Sequence, residues 1–253
     1  MGKVTAIANQ KGGVGKTTTA VSLASFLAAK GKRILLIDLD PQGNVSSSLG
    51  IGKGSLENGV YELLMQESDA AAVITKTGVE NLDLIPSTVD LVGAQIELVS
   101  EMGREYRLGT GLKPILDTYD FILIDCPPEL GLLTLNALTA SNSVLIPIQC
   151  EFLALDGLTQ LLETVKLVKK NLNQNLAIEG VLLTMYDTRT NLSNQVVEEV
   201  TAYFKDKTYK TIIPRNVRLS EAPSHGKPIG EYDKDSIGAK SYRELAEEFI
   251  ARN

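Results

Sequence analysis

Short apolar runs alternate with longer amphipathic stretches along almost the whole chain. Val4-Thr5-Ala6-Ile7-Ala8 is the first run, and Arg33–Asp38, Leu82–Pro86, Tyr119–Asp125, Ser143–Gln149, Ile178–Met185 and Tyr209–Pro214 follow it. Each is rich in Val, Ile or Leu and apolar on both faces, as strands of a helix-covered parallel sheet are. Helical patterns fill the intervals: Thr18–Lys30 closed by Gly31, Leu56–Gln66, Val89–Glu101, Tyr106–Asp117, Leu130–Ala140, Leu155–Asn171, Leu192–Lys205 and Ile237–Arg252. This alternation predicts an α/β fold, a doubly wound and mostly parallel sheet with helices on both faces. No Pro/Ser-rich linker, internal repeat or low-complexity tract interrupts it, so the expectation is a single domain over residues 1–253.

In such a sheet, ligands bind at the carboxyl ends of the strands. The polar motifs fall there. Lys11-Gly12-Gly13-Val14-Gly15-Lys16-Thr17-Thr18 joins the first strand to the first helix. A glycine-rich turn at that place aims backbone N–H groups and the positive helix end at an anion. Gly15-Lys16-Thr17 matches the end of the phosphate-binding loop pattern, with the lysine on the β/γ-phosphates and the hydroxyl on Mg²⁺. The strict pattern has glycine where this chain has Gln10, and it lacks Lys11-Gly12-Gly13. Asp125 closes Phe121-Ile122-Leu123-Ile124-Asp125, the arrangement in which a carboxylate orients Mg²⁺ or its water. Asp38-Leu39-Asp40-Pro41-Gln42-Gly43 closes the second strand and places two carboxylates two residues apart. That segment reads either as a solvated turn or as a metal- and water-positioning pair.

With Lys11 at the mouth of the loop and two glycines behind it, the chain resembles the ParA/MinD family of P-loop ATPases with a deviant Walker A motif. The match runs nearly end to end and is closest to chromosome-partitioning ParA proteins of the Soj type. The resemblance implies ATP and Mg²⁺ as cofactors, with nucleotide held by Lys11, Gly12, Gly13, Val14, Gly15, Lys16, Thr17 and Thr18. It implies metal contacts from Thr17, Asp38 and Asp125, and catalytic roles for Lys16, for Asp40 in hydrolysis, and for Lys11 reaching the nucleotide of a partner subunit. Pro214 and Asn216 correspond to positions near the base. Arg189 and Arg218, by themselves ordinary loop arginines, correspond to positions that contact DNA without reading sequence. The implied partners are nonspecific double-stranded DNA, a ParB-type centromere-binding protein and a second copy in an ATP-dependent homodimer. The expected location is the cytoplasm, on the nucleoid. The implied reaction is attack of water on the γ-phosphate, and because no strong general base stands out, slow intrinsic turnover is expected.

Composition narrows the alternatives. The 253-residue chain is 43% hydrophobic and 22% charged, ordinary for a globular protein. No apolar run approaches the roughly 18–20 residues of a membrane span, and a strand pattern begins almost at the N-terminus, leaving no room for a signal peptide. The net charge of −6 disfavours whole-surface attraction to nucleic acid, yet residues 160–230 hold ten Lys/Arg against seven Asp/Glu. Cys126 and Cys150 have no metal-ligand spacing and suit buried packing in a reducing compartment. That argues against a cluster-carrying relative such as a nitrogenase iron protein, whose cluster needs thiolates at a subunit interface. A MinD-like membrane-associated switch is the main alternative, but it calls for a basic amphipathic C-terminal helix. Here acidic residues outnumber basic ones in Tyr242–Asn253, so no membrane partner is expected. A metabolic kinase is the remaining class, and no acceptor pocket is recognisable. His225 is read as an exposed loop residue without a role.

Overall fold

A computed structural model describes residues 2–52, 54, 56–151 and 156–253. The strands are β1 (Lys3–Ile7), β2 (Ile34–Asp38), β3 (Thr75–Lys76), β4 (Leu82–Ile85), β5 (Phe121–Asp125), β6 (Ser143–Gln149) and β7 (Ala177–Thr184). They form one sheet in the order β3-β4-β2-β5-β1-β6-β7, parallel except for β3, which pairs antiparallel with β4 at one edge. The helices are α1 (Lys16–Ala29), α2 (Asn44–Ser48), α3 (Val60–Met65), α4 (Leu91–Glu97), α5 (Arg107–Leu112), α6 (Leu132–Ala140), α7 (Asp156–Asn171), α8 (Asn191–Phe204), α9 (Val217–Glu221), α10 (Ile229–Tyr232) and α11 (Ile237–Arg252). This is the doubly wound, mostly parallel sheet that the alternation of apolar and amphipathic stretches predicts.

Strand alternation divides the core into two layers. Leu35, Ile37, Ile122 and Ile124 pack with α3 to α8, while Ile34, Leu36, Phe121 and Leu123 face α1, α2, α10 and α11. Apolar side chains fill both layers, so the central strands carry almost no exposed surface. α11 lies against α1 through Tyr242, Leu245, Ala246 and Phe249, and the Phe249 ring meets Phe121 edge-on at 5.3 Å. The Tyr242 hydroxyl pairs with that of Thr19 at 3.0 Å.

The parallel strands lie where the apolar runs placed them, with one exception. Tyr209–Pro214 is not a strand of the sheet. It runs beside β7, to which Tyr209 N and Ile213 N donate at Val181 O and Leu183 O, each at 2.9 Å, but it forms only isolated bridges and no continuous ladder. The reason is a competing acceptor: the N–H groups of Lys210 and Thr211 both donate to the carboxylate of Glu248 on α11, each at 2.9 Å. Gly180 lets the Tyr209 ring lie against β7, since a Cβ there would come within 2.5 Å of it. The helices at 89–101 and 106–117 are shorter than their patterns predict, ending in 3₁₀ turns at Leu98–Ser100 and Lys113–Ile115, the latter containing Pro114. The expected start of α7 at Leu155 lies outside the described residues.

Candidate nucleotide-binding site

β1 and α1 are joined by a loop whose shape depends on two glycines. Gly13 and Gly15 have φ of +75° and +87°, a region costly for any other residue. Gly15 is also the N-cap of α1, and no side chain caps that end. A Cβ at Gly12, Gly13 or Gly15 would meet nothing within 4 Å. The uncapped first turn therefore points its N–H groups into open space, the geometry of an anion cradle.

Two residues invisible to the motif hold this loop. Buried Asn9 accepts from Lys11 N at 2.9 Å and donates to Pro147 O at 2.7 Å, tying the loop to β6. The Thr184 hydroxyl, at the end of β7, donates to Val14 O at 2.9 Å. Both partners lie more than a hundred residues away in sequence, so no local pattern points to them.

Lys16 is 7% exposed, and its ammonium donates to Lys11 O at 3.3 Å. Burial lowers its pKa, and the nearby carboxylates of Asp125 and Asp40 work against that shift. The Thr17 hydroxyl donates to Asp125 Oδ2 at 2.6 Å, while Asp125 Oδ1 is buried with no hydrogen-bond partner. Burial pushes Asp125 up to about 7, opposed by the Thr17 bond and the Lys16 charge. Asp38 stands directly across the β2–β5 ladder from Asp125 and is fully buried. Its carboxyl is raised well above the usual range, first by burial and then by Asp125. Its two oxygens accept from Asp40 N and Val45 N, each at 3.1 Å, so Asp38 fixes the turn that carries Asp40. Asp40 is half-buried, and its carboxylate accepts from Gln42 N at 3.0 Å.

A cavity of about 280 Å³ opens over the glycines, with Lys16, Thr17, Asp40 and Asn44 on its walls and Pro128 at its rim. A second, of about 350 Å³, shares Gly15, Thr18 and Met185 with the first. Its far wall is Ile213, Pro214, Asn216, Leu219 and Tyr242. The two adjoin at the shared residues, the first lined mainly by polar groups over the loop and the second mainly by apolar ones. Asn216 Oδ1 accepts from Arg218 N at 3.0 Å and caps α9, which fixes the orientation of its amide beside this apolar space. A larger cavity of about 550 Å³ lies at the opposite, amino ends of β1, β6 and β7 and contains none of these residues.

Among the described residues, no group of three or more His, Cys, Asp or Glu side chains is placed to hold a metal ion by itself. The orphaned oxygen of Asp125 beside the Thr17 hydroxyl suits Mg²⁺ instead, an ion that keeps waters and takes substrate phosphates as ligands. Asp38 fits a metal less well, since backbone N–H groups already occupy both of its oxygens.

The remaining sequence candidates lie further out. Lys11 is half-buried at the loop mouth, and no side-chain hydrogen bond or ion pair holds it among the described residues. Arg189 is 82% exposed and clamped by Asp187 through bonds of 2.9 and 2.7 Å. Arg218 pairs with Glu221 at 2.9 Å and Asp233 at 3.4 Å. The loops bearing the two arginines leave the sheet side by side, stitched by Tyr186 N to Ile213 O and Arg215 N to Tyr186 O. Cys126 and Cys150 are buried free thiols, with pKa values pushed up by burial. His225 is exposed and stacks on Tyr232 at 4.8 Å.

Residues 2–178 match the family model described as an AAA domain. Over 251 residues the chain is 62% identical to the sporulation initiation inhibitor protein Soj of Bacillus subtilis, covering 99% of both chains. It is 56% identical over 253 residues to the chromosome-partitioning ATPase Soj of Treponema pallidum, covering 100% of this chain and 99% of the other. Among solved structures, cobyrinic acid a,c-diamide synthase of Mycobacterium smegmatis with bound ADP and magnesium superposes with a TM-score of 0.86 at 39% identity. That superposition covers 98% of this chain and 93% of the other.

Proposed function

The chain belongs to the Soj/ParA branch of the ParA/MinD ATPases, and from that premise we propose that it is an ATP-driven switch for DNA partition. It is a chromosome-partitioning ATPase that uses ATP and Mg²⁺. The observation that carries the reading is the uncapped, glycine-opened start of α1, with buried Lys16 and the Thr17–Asp125 pair set against the cavity above it.

The residues take their roles from these positions. Backbone N–H groups of Gly13 to Thr18 receive the phosphates, and Lys16 neutralises charge that builds on them. Thr17 and Asp125 would hold Mg²⁺, which would supply positive charge at the phosphates. Asp40, on the turn braced by Asp38, positions the attacking water. Pro214 and Asn216 border the base. Lys11 is free to reach outward, and it acts across a homodimer formed with ATP. Asp40 is one half-buried carboxylate with no partnered base, so intrinsic turnover is slow and a ParB-type protein accelerates it. Arg189 and Arg218 bind DNA phosphates in that dimer without sequence preference.

The membrane reading is disfavoured by packing. The apolar face of α11, the element a MinD-like switch would lay on lipid, is occupied by Tyr242, Leu245, Ala246 and Phe249 in the core. No helix among the described residues is long and apolar enough to cross a membrane. The deciding experiment is binding to a random-sequence DNA duplex with ATP, with ADP and without nucleotide, across a salt series. Binding with ATP alone that collapses as salt rises supports the switch. Absence of binding with ATP at low salt, or flotation with anionic vesicles instead, overturns its DNA arm.

A further inference from the structure

Glycines with positive φ fall into two kinds in this chain. At Gly13, Gly15, Gly31 and Gly103 an added Cβ would meet nothing within 4 Å. Gly50 and Gly226, with φ of +73° and +62°, each stand against the backbone of the other. A Cβ at Gly50 would lie 2.8 Å from Gly226 O, and one at Gly226 would lie 2.7 Å from Gly50 Cα. The two main chains therefore touch with no side chain between them, an approach that only a pair of glycines allows.

The contact joins segments that reach the nucleotide site from different directions. Gly226 closes a turn by donating to Pro223 O at 3.1 Å, and Pro223 stands with Leu219 on the wall of the apolar cavity assigned to the base. Gly50 follows α2, whose end is held by Gly50 N to Ser47 O at 3.2 Å and Ile51 N to Ser46 O at 2.9 Å. The start of α2 is fixed by Val45 N on Asp38 Oδ2 at 3.1 Å. There Asn44 lines the phosphate cavity beside Asp40.

Buried side chains lock the junction. Val45 and Leu49, on the α2 side, share one apolar layer with Ala222 and Ile229 on the other. Close-packed interiors are poorly compressible and transmit displacement instead of absorbing it. A short helix packed at both ends is thus a rigid link from the base cavity to the turn that carries Asp40.

We propose that the Gly50–Gly226 contact is a positioning element that makes hydrolysis depend on the base. A base seated against Pro223 sets the turn that ends at Gly226, and through Gly50 and α2 it sets Asp40. A phosphate chain without a base fills the loop but leaves Asp40 unset, so its terminal phosphate is attacked slowly. Energy from a remote part of the substrate is then spent on the reacting centre, and the truncated substrate loses turnover as well as affinity. The inference rests on the role given to Asp40 above.

The test compares ATP with inorganic triphosphate, both saturating and with Mg²⁺, in phosphate-release assays on the full chain. Wild type is expected to turn over ATP at least about tenfold faster than triphosphate. Gly226→Ala should lower kcat for ATP at least about fivefold and leave that for triphosphate within about twofold. Gly31→Ala puts similar backbone strain at a glycine with open space beside it, and this control should keep the wild-type ratio. Equal loss with both substrates in Gly226→Ala, the signature of a merely weakened fold, overturns the proposal. An unchanged ratio in that variant, or equal rates for the two substrates in wild type, does the same. Should Gly226→Ala fail to fold, hydrogen exchange on wild type decides. Excess adenosine, which carries the base without phosphates, should slow exchange at the Leu49, Gly50 and Ile51 amides several-fold, and no slowing overturns the proposal. Asp40→Ala, assayed in parallel, separates the two claims. Wild-type turnover there removes the premise and the proposal with it, whereas lost turnover beside an unchanged ratio in Gly226→Ala removes the contact alone.

Discussion

The phosphate cavity and the arginine loops sit on the same carboxyl edge of the sheet but are built on opposite terms. At the cavity, Asp38 and Asp125 are fully buried on neighbouring strands, and Lys16 is nearly so. At the loops, Arg189 and Arg218 stand in water and are satisfied by half-buried carboxylates a few residues away. Buried charges interact strongly with whatever shares their low-dielectric surroundings, so a bound phosphate and metal find groups already aimed and desolvated. Water screens the Arg189 guanidinium, so Asp187 gives it up to a DNA phosphate at little cost. One region is specific because it is rigid and dry. The other is adaptable, and sensitive to salt, because it is neither.

That contrast can be broken most severely at its buried end. Lys16→Gln should lower ATP turnover by at least about a hundredfold, the usual cost of removing one preorganised charge-stabilising donor. A steady-state phosphate-release assay checks this, and residual activity within a few-fold of wild type would remove Lys16 from catalysis. Asp40→Ala should cut turnover by a comparable or smaller factor while sparing nucleotide binding, leaving an ATP-bound form retained on DNA. Nucleotide-binding fluorescence beside the turnover assay separates the two, and wild-type turnover would refute the role of Asp40.

At the exposed end the effects are smaller and depend on the medium. Arg189→Ala should weaken DNA binding several-fold at low salt and reduce the slope of log affinity against log salt by about one. ATP turnover without DNA should not change. An unaltered slope would show that Arg189 does not touch phosphate.

The smallest effect sharpens the comparison through pH. In protein free of nucleotide and metal, burial holds the carboxyls of Asp125 and Asp38 above their values in the unfolded chain. The native state then holds a proton that the unfolded state has lost, so the associated stability is present at low pH and falls as pH rises toward 7. Thermal melts should show a lower Tm at pH 8 than at pH 5.5, by a few degrees on the scale of about 2–4 °C per kcal/mol. Asp125→Asn should reduce that dependence, leaving the part that buried Asp38 contributes. A Tm that rises with pH in wild type and variant alike would contradict the buried-carboxyl account.

Much of the buried region was legible in the sequence, because its signals are local. Gly13 and Gly15 announce a backbone that only glycine adopts easily, and Asp38 and Asp125 announce themselves by ending apolar runs. What holds those parts in place was not legible. Asn9 and Thr184 brace the loop through partners that only the fold brings near, and Asp38 proves to spend both oxygens on the backbone of its own turn. The false strand at Tyr209–Pro214 has the same origin, since its β-like composition was overruled by a carboxylate on a helix far along the chain. The arginines could be named from the resemblance, but not their pairing with Asp187, Glu221 and Asp233.

The Glu248 clamp has a further consequence. The segment it grips, through Lys210 and Thr211, continues within a few residues into Ile213 and Pro214 on the wall of the base cavity. α11 is thus mechanically tethered to the part of the site that distinguishes an occupied base pocket from an empty one. Its outer face, at Lys240 and Glu244, lies in solvent. A small fluorophore there would act as a remote gauge of nucleotide occupancy, reading the strain on a tether without standing in the way of the ligand.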